Sequence, residues 1–254
     1  MRQLLLLGLI ALMACGGAGV KTAQQGDAVV ADSCVDFNTV IAGIRDGSLK
    51  KEEAMAQMLL LLPQVKDYYY KHGGKDEPKS KWVFPLKGYD ANAIGGTNGS
   101  GYVAAGYKFL DGNKHKGHPA HDIFIQDVNQ DCKDDRTKQP VQVLSVSGGI
   151  VLATETKWDT ASEQRGGNYI WIYDPSGPYF FYYAHNDSLL VKPCDIVKPG
   201  DAIATVGRSG LNAYKKRSPT HLHFMLLQLD DKMMPYPVNT YTDLVKMKTM
   251  DAKP

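Results

Sequence analysis

Thr220-His221-Leu222-His223-Phe224, running on into Met225-Leu226-Leu227, decides how this chain is read. Its apolar run has the length and composition of a buried strand, and successive side chains on a strand point to opposite faces. His221 and His223 therefore share a face, ~6–7 Å apart along the backbone. Leu222, Phe224 and Leu226 lie on the other face and are expected in a core. One imidazole of such a pair can bind a metal while the other works beside it. Taken alone, the plainer reading is two exposed histidines on a strand, so the choice depends on whether further ligands exist.

Upstream, His118-Pro119-Ala120-His121-Asp122 sets an imidazole and a carboxylate four residues apart, on one face if the segment is extended. Asp122 opens the apolar run Ile123-Phe124-Ile125. A catalytic zinc takes three His, Asp or Glu ligands and keeps one position open. His118, Asp122 and one histidine of the distal pair would supply that set. His121 points to the opposite face and is read as a non-ligand. A further histidine, His185, closes the aromatic stretch Tyr182-Tyr183-Ala184 and gains meaning only from this company.

The remaining sequence sets the frame. At 254 residues the chain can bury one ordinary domain with a smaller appendage. With 25 Gly, 13 Pro and 14 Tyr, short strands and many turns are expected. The 29 Lys and Arg nearly balance 27 Asp and Glu, a net charge of +2 without a basic field. Nucleic acid is therefore set aside as a partner.

Arg2 followed by the apolar run from Leu4 to Met13 reads as a secretory signal, too short to span a membrane. Leu12-Met13-Ala14-Cys15 resembles a bacterial lipobox, which implies a lipid on Cys15, a bacterial membrane anchor and an envelope location on the periplasmic side. The expected organisation is a signal peptide over 1–14, a lipid-anchored tether over 15–32, a helical hairpin over 33–71, a linker over 72–81, the main domain over 82–245 and a tail over 246–254.

Helical spacing of Val35, Phe37, Val40, Ile41 and Ile44, then of Met55, Met58, Leu59, Leu62 and Val65, carries the hairpin. It reads as a helical pair packed on the main domain, with a partner-binding or autoinhibitory role as the alternative. From Trp82 onward, strand-like runs alternate with turns over 82–86, 101–109, 122–126, 142–146, 149–156, 168–173, 179–184, 202–206 and 221–229. The fold class expected is mainly β, an antiparallel sheet with a small N-terminal helical hairpin. The stretch from Asp90 to Gly101 reads as a flexible loop. With Cys15 lipidated, Cys34, Cys132 and Cys194 allow one disulfide, and spacing does not choose the pair.

Four motifs stand in order: His118-x-x-x-Asp122; Gly167-Asn168-Tyr169 leading to Tyr183-Ala184-His185; Val197-Lys198-Pro199-Gly200-Asp201 with Val206-Gly207-x-Ser209-Gly210; and His221-Leu222-His223-Phe224. Together, over about 84–229, they resemble the lysostaphin-type, LytM-like zinc metallopeptidases of the cell wall. The resemblance implies an antiparallel β fold, one zinc ion and cleavage of amide bonds in peptidoglycan peptide crosslinks. It makes His118, Asp122 and His223 the zinc ligands, and His185 and His221 the catalytic partners of the attacking water. Ala120 stands where the family usually has glycine.

Degenerate members that bind cell wall or activate other hydrolases supply the alternative function, but those have usually lost ligands that this chain keeps. A second metal pattern, Asp127-x-Asn129-x-Asp131, has the spacing of a calcium loop without its glycine or distal Glu. A solvated acidic loop is the preferred reading there.

Overall fold

A computed structural model of the chain describes residues 23–251. The signal peptide and the tether as far as residue 22, with Cys15, lie outside the described residues. Two helices come first, α1 (Ala23–Asp46) and α2 (Lys51–Lys71). Helix α1 begins ten residues before the expected hairpin, inside the stretch read as tether, where Ala and Gln favour helix despite their polar surroundings. Gly47, at φ +68°, makes the turn between the helices, and Glu52 and Glu53 place negative charge in the first turn of α2. Pro63 lies within α2.

The main body is one nine-stranded antiparallel sheet: β1 (His121–Phe124), β2 (Gln142–Leu144), β3 (Gly149–Glu155), β4 (Asn168–Asp174), β5 (Tyr179–Leu189), β6 (Ile196–Val197), β7 (Ala202–Val206), β8 (His221–Leu229) and β9 (Pro235–Val238). The central order is β1-β8-β5-β4-β3-β6, with β9 also on β8, and β7 bridging β5 to β2. A short helix, α3 (Tyr241–Leu244), follows. Two expected strands resolve differently. The 82–86 stretch makes only isolated bridges, from Val83 to Lys248 and from Leu86 to Val143, and 101–109 makes one, from Val103 to His118.

Strand alternation divides the core. Leu222, Phe224 and Leu226 of β8 join Ile170, Ile172, Phe181 and Tyr183 on one face. Met225, Leu227 and Leu229 face the other way, with Trp171 and Phe180, and there meet Phe37, Val40 and Ile41 of α1 and Met58 and Leu62 of α2. Burial of these apolar faces is the main force docking the hairpin on the sheet. The Cys34–Cys194 disulfide adds a covalent tie across 160 residues. Arg45 adds polar ties, donating to Glu155 at 2.5 Å and to the Tyr169 hydroxyl at 3.1 Å. The Cys132 thiol is free, and burial, then the nearby Asp187 and Asp127, push its pKa up to about 11.

Candidate metal centre

The register of β1 against β8 builds the centre. Asp122 lies directly opposite His223, and on the other side of β8 Ala184 of β5 is opposite His223 as well. Paired residues of neighbouring strands stand about 4.5–5.5 Å apart at Cβ, so the carboxylate and imidazole meet across the ladder. The Asp122 Oδ1 to His223 Nδ1 distance is 3.0 Å.

His118 lies three residues before β1, pinned by reciprocal backbone hydrogen bonds with Val103 of 2.7 and 2.8 Å. Its Nε2 stands 3.2 Å from the same Oδ1. The Asp90–Gly101 loop, folded into short 3-10 turns, orients that ring: the Gly101 carbonyl accepts from His118 Nδ1 at 2.9 Å.

One ligand atom each from His118, Asp122 and His223 falls within 4.8 Å of the others, the one such group among the described residues. Two imidazoles and a carboxylate suit zinc, and donors about 2.0–2.2 Å from a tetrahedral ion are spaced a little over 3 Å from each other. His221 Nε2 approaches the same Oδ1 at 3.7 Å. Three ring nitrogens crowd an oxygen with two lone pairs. A shared cation relieves that crowding, so the residues present fit the metal.

Electrostatics follow from the cluster. Burial alone would raise the Asp122 pKa, but the hydrogen bonds from His118 and His223 and the charge of the imidazoles hold it far below the usual carboxylate range. The Asp122 hydrogen bond raises His118. Burial lowers His223 despite the same carboxylate.

His185 and His221 complete the cluster, their rings 4.9 Å apart, with His185 5.4 Å from His223. His221 Nδ1 donates to the Pro219 carbonyl at 2.7 Å, and His185 Nδ1 donates to the Ser209 carbonyl at 2.8 Å. A carbonyl only accepts, so Nδ1 carries the proton in both rings and each neutral ring keeps a lone pair on Nε2. Burial, then the charges of His221 and His223, depress the His185 pKa well below its ordinary value.

Local backbone geometry is specialised around His185, whose φ is +66°, a conformation costly for a residue with a Cβ. Gly210, at φ +112°, lies against it, and a Cβ there would come within 2.4 Å of the Arg165 carbonyl and 2.9 Å of His185 Nδ1. The Ser209 hydroxyl donates to the Asn186 carbonyl at 2.7 Å and accepts from the Asn168 amide at 2.8 Å. The Ser209-Gly210 and Gly167-Asn168 motifs therefore hold His185 in place.

His121 lies elsewhere, its Nε2 3.0 Å from Asn239 Oδ1 and its ring stacked on Tyr102. In the acidic loop, Asn129 Nδ2 donates to Asp131 Oδ2 at 3.0 Å. Asp127 accepts from the Asp131 and Cys132 amides at 3.0 and 2.9 Å and from the Thr220 hydroxyl at 2.7 Å. It ties the acidic loop to the residue before His221.

Seven further residues line the cavity that holds the cluster: His115, Arg165, Gly166, Tyr182, Asn212, Ala213 and Ser218. Arg165 and Gly166 were signalled by adjacency to Gly167, and Tyr182 by the aromatic run before His185. No residue of the hairpin or of the 90–101 loop lines that cavity.

Comparison with known proteins bears on the same segments. Residues 132–235 match Peptidase family M23. No curated protein matches. Among solved structures, the chain is similar to a Ruminococcus gnavus protein described as a glycyl-glycine endopeptidase LytM, at 20% identity over 91% of both chains with a TM-score of 0.44. It is also similar to the catalytic domain of lysostaphin from Staphylococcus simulans, at 24% identity over 54% of this chain and 86% of that one, TM-score 0.35. A zinc-containing peptidase from Vibrio cholerae shares 20% identity over 72% of this chain and 43% of its own, TM-score 0.39. The matched stretch carries His185, His221 and His223, and His118 and Asp122 lie just upstream of it.

Proposed function

We propose that the chain is a zinc-dependent endopeptidase that hydrolyses amide bonds in the peptide crosslinks of peptidoglycan, with direct crosslinks between stem peptides as its substrate. One observation carries the reading: three donor atoms of the zinc-ligand type gather within 4.8 Å, with two further imidazoles beside them. The family M23 match supports the reaction class.

His118, Asp122 and His223 would hold the ion. When bound, zinc polarises a carbonyl and lowers the pKa of water at its open position toward ~7. The protein's own groups then move protons. His185 and His221 present Nε2 lone pairs to one space, so one accepts the proton of the attacking water and delivers it to the leaving amine. The other, taking up a solvent proton at Nε2, donates to the oxyanion. The Pro219 and Ser209 carbonyls fix both tautomers for these roles.

The test is digestion of purified peptidoglycan by the zinc-loaded full chain, followed as newly released amino groups. Release that a chelator abolishes and added zinc restores is expected. Binding to peptidoglycan without release would instead favour a non-catalytic wall-binding protein. Envelope location with a lipid on Cys15 belongs to the same proposal, and Cys15→Ser should move the protein from membrane to soluble fraction.

A further inference from the structure

A second cavity, of about 80 Å³, adjoins the histidine cluster and is walled by the helical hairpin. Ile41 and Ile44 of α1 form one side, and Phe109, Trp171 and Met225 form the opposing apolar wall. His115, Arg165, Gly166 and Tyr182 line both this cavity and the one that holds the cluster, so the two lie side by side. The hairpin thus shapes the ground beside the metal centre without lining the centre itself.

Charge in this second cavity is one-sided. No acidic side chain lines it. Of its two guanidinium groups, that of Arg45 is engaged by Asp46 and Glu155. That of Arg165 donates to the His115 carbonyl at 2.9 Å and has no acidic partner among the described residues. An arginine in that position favours a carboxylate, which its planar fork can grip with two parallel bonds. The neighbouring Gln164 also lines the cavity, with its side-chain oxygen buried against protein. An apolar wall and a cation without an acidic partner describe one kind of occupant.

We propose that this cavity is a substrate side-chain pocket in which Arg165 selects a peptide whose residue next to the scissile amide has an aliphatic stem ending in a carboxylate. The inference rests on the peptidase reading above and adds the substrate's charge. It gives the hairpin a role as a wall of the substrate groove. Arg165 acts here as a specificity residue, since nothing places it on the reacting atoms.

The experiment uses the zinc-loaded full chain and pairs of synthetic peptides identical except for one side chain, ending in a carboxylate or a carboxamide. The variable side chain is placed on each side of the scissile amide in turn. A charge-assisted contact predicts that the wild type prefers one carboxylate peptide roughly tenfold to a hundredfold in kcat/KM, chiefly through KM. Arg165→Gln should bring the ratio between the two peptides close to one while zinc content holds. Ile44→Phe, which fills the cavity from the hairpin side, should raise KM for long-stemmed peptides more than for a peptide bearing only a methyl group.

A wild type that cleaves both peptides of every pair equally overturns the proposal, as does Arg165→Gln slowing both by the same factor. If the wild type releases nothing from peptidoglycan either, the peptidase reading is what fails. Calorimetric binding of the two peptides then still decides the pocket: a preference for the carboxylate that Arg165→Gln removes upholds it, and equal binding refutes it.

Discussion

Two neighbouring stretches of this chain carry metal-type spacing, and their carboxylates are used differently. Asp122 meets His118 and His223 within 4.8 Å, whereas Asp127 and Asp131, a few residues downstream, accept hydrogen bonds from their own loop. The difference lies in what the backbone requires. Around Asp122 the amides and carbonyls are satisfied by the β1–β8 ladder and the bridge to Val103, so the side-chain lone pairs are left over for a ligand. In the acidic loop no ladder exists, and every buried or constrained N–H still needs an acceptor. Asp127 accepts from Asp131, Cys132 and Thr220, Asp131 from Lys133 and Asn129, and Asp135 from Val128. Those carboxylates serve as loop acceptors.

The largest effect that sharpens this contrast is at Asp122. Asp122→Ala should remove zinc and activity together, read by elemental analysis and by amine release. His223→Ala should do the same.

Next come the two imidazoles beside the donors. Substituting His221 or His185 by Ala should leave zinc bound and lower turnover by roughly 10²–10⁴, the usual contribution of general acid–base catalysis. Full activity with bound zinc in His221→Ala would sink the division of roles.

A smaller effect concerns stability. Replacing Cys34 and Cys194 by Ser should cost about 2–5 kcal/mol in denaturant unfolding, because the bridge closes a long loop. It should leave zinc affinity unchanged, since neither residue touches the centre.

The smallest effect falls on the acidic loop. Asp127→Ala leaves two amides and a hydroxyl without their acceptor and should cost about 1–3 kcal/mol. Zinc content should not change. Added calcium should not shift the melting temperature of the wild type, and a saturable rise would show that the loop binds the ion after all.

Much of the centre was legible because a two-residue period marks a strand face. His221 and His223 could be placed on one side of β8, and Asp122 at the head of β1, without knowing which strands pair. The apolar run of β8 likewise gave both core faces. The Asp122–His223 pairing was not legible, since register across more than a hundred residues is fixed by packing of the whole sheet.

Arg165 and Gln164 were missed because they lie on an irregular connection between β3 and β4, where no period operates. The two-residue β6 and the four-residue β9 were missed because strands that short leave no pattern. The early start of α1 was missed because its first turns lack an apolar stripe. The 82–86 stretch has a strand's composition, but its backbone partners are split between Lys248 and Val143, which allows bridges and no ladder.

The most direct test of the account is a zinc titration of the purified full chain beside Asp122→Ala and Asp127→Ala, with circular dichroism to verify that each is folded. The account predicts one tightly held equivalent in the wild type and in Asp127→Ala, and none in Asp122→Ala. Tight zinc binding that survives Asp122→Ala, or vanishes in a folded Asp127→Ala, would contradict it.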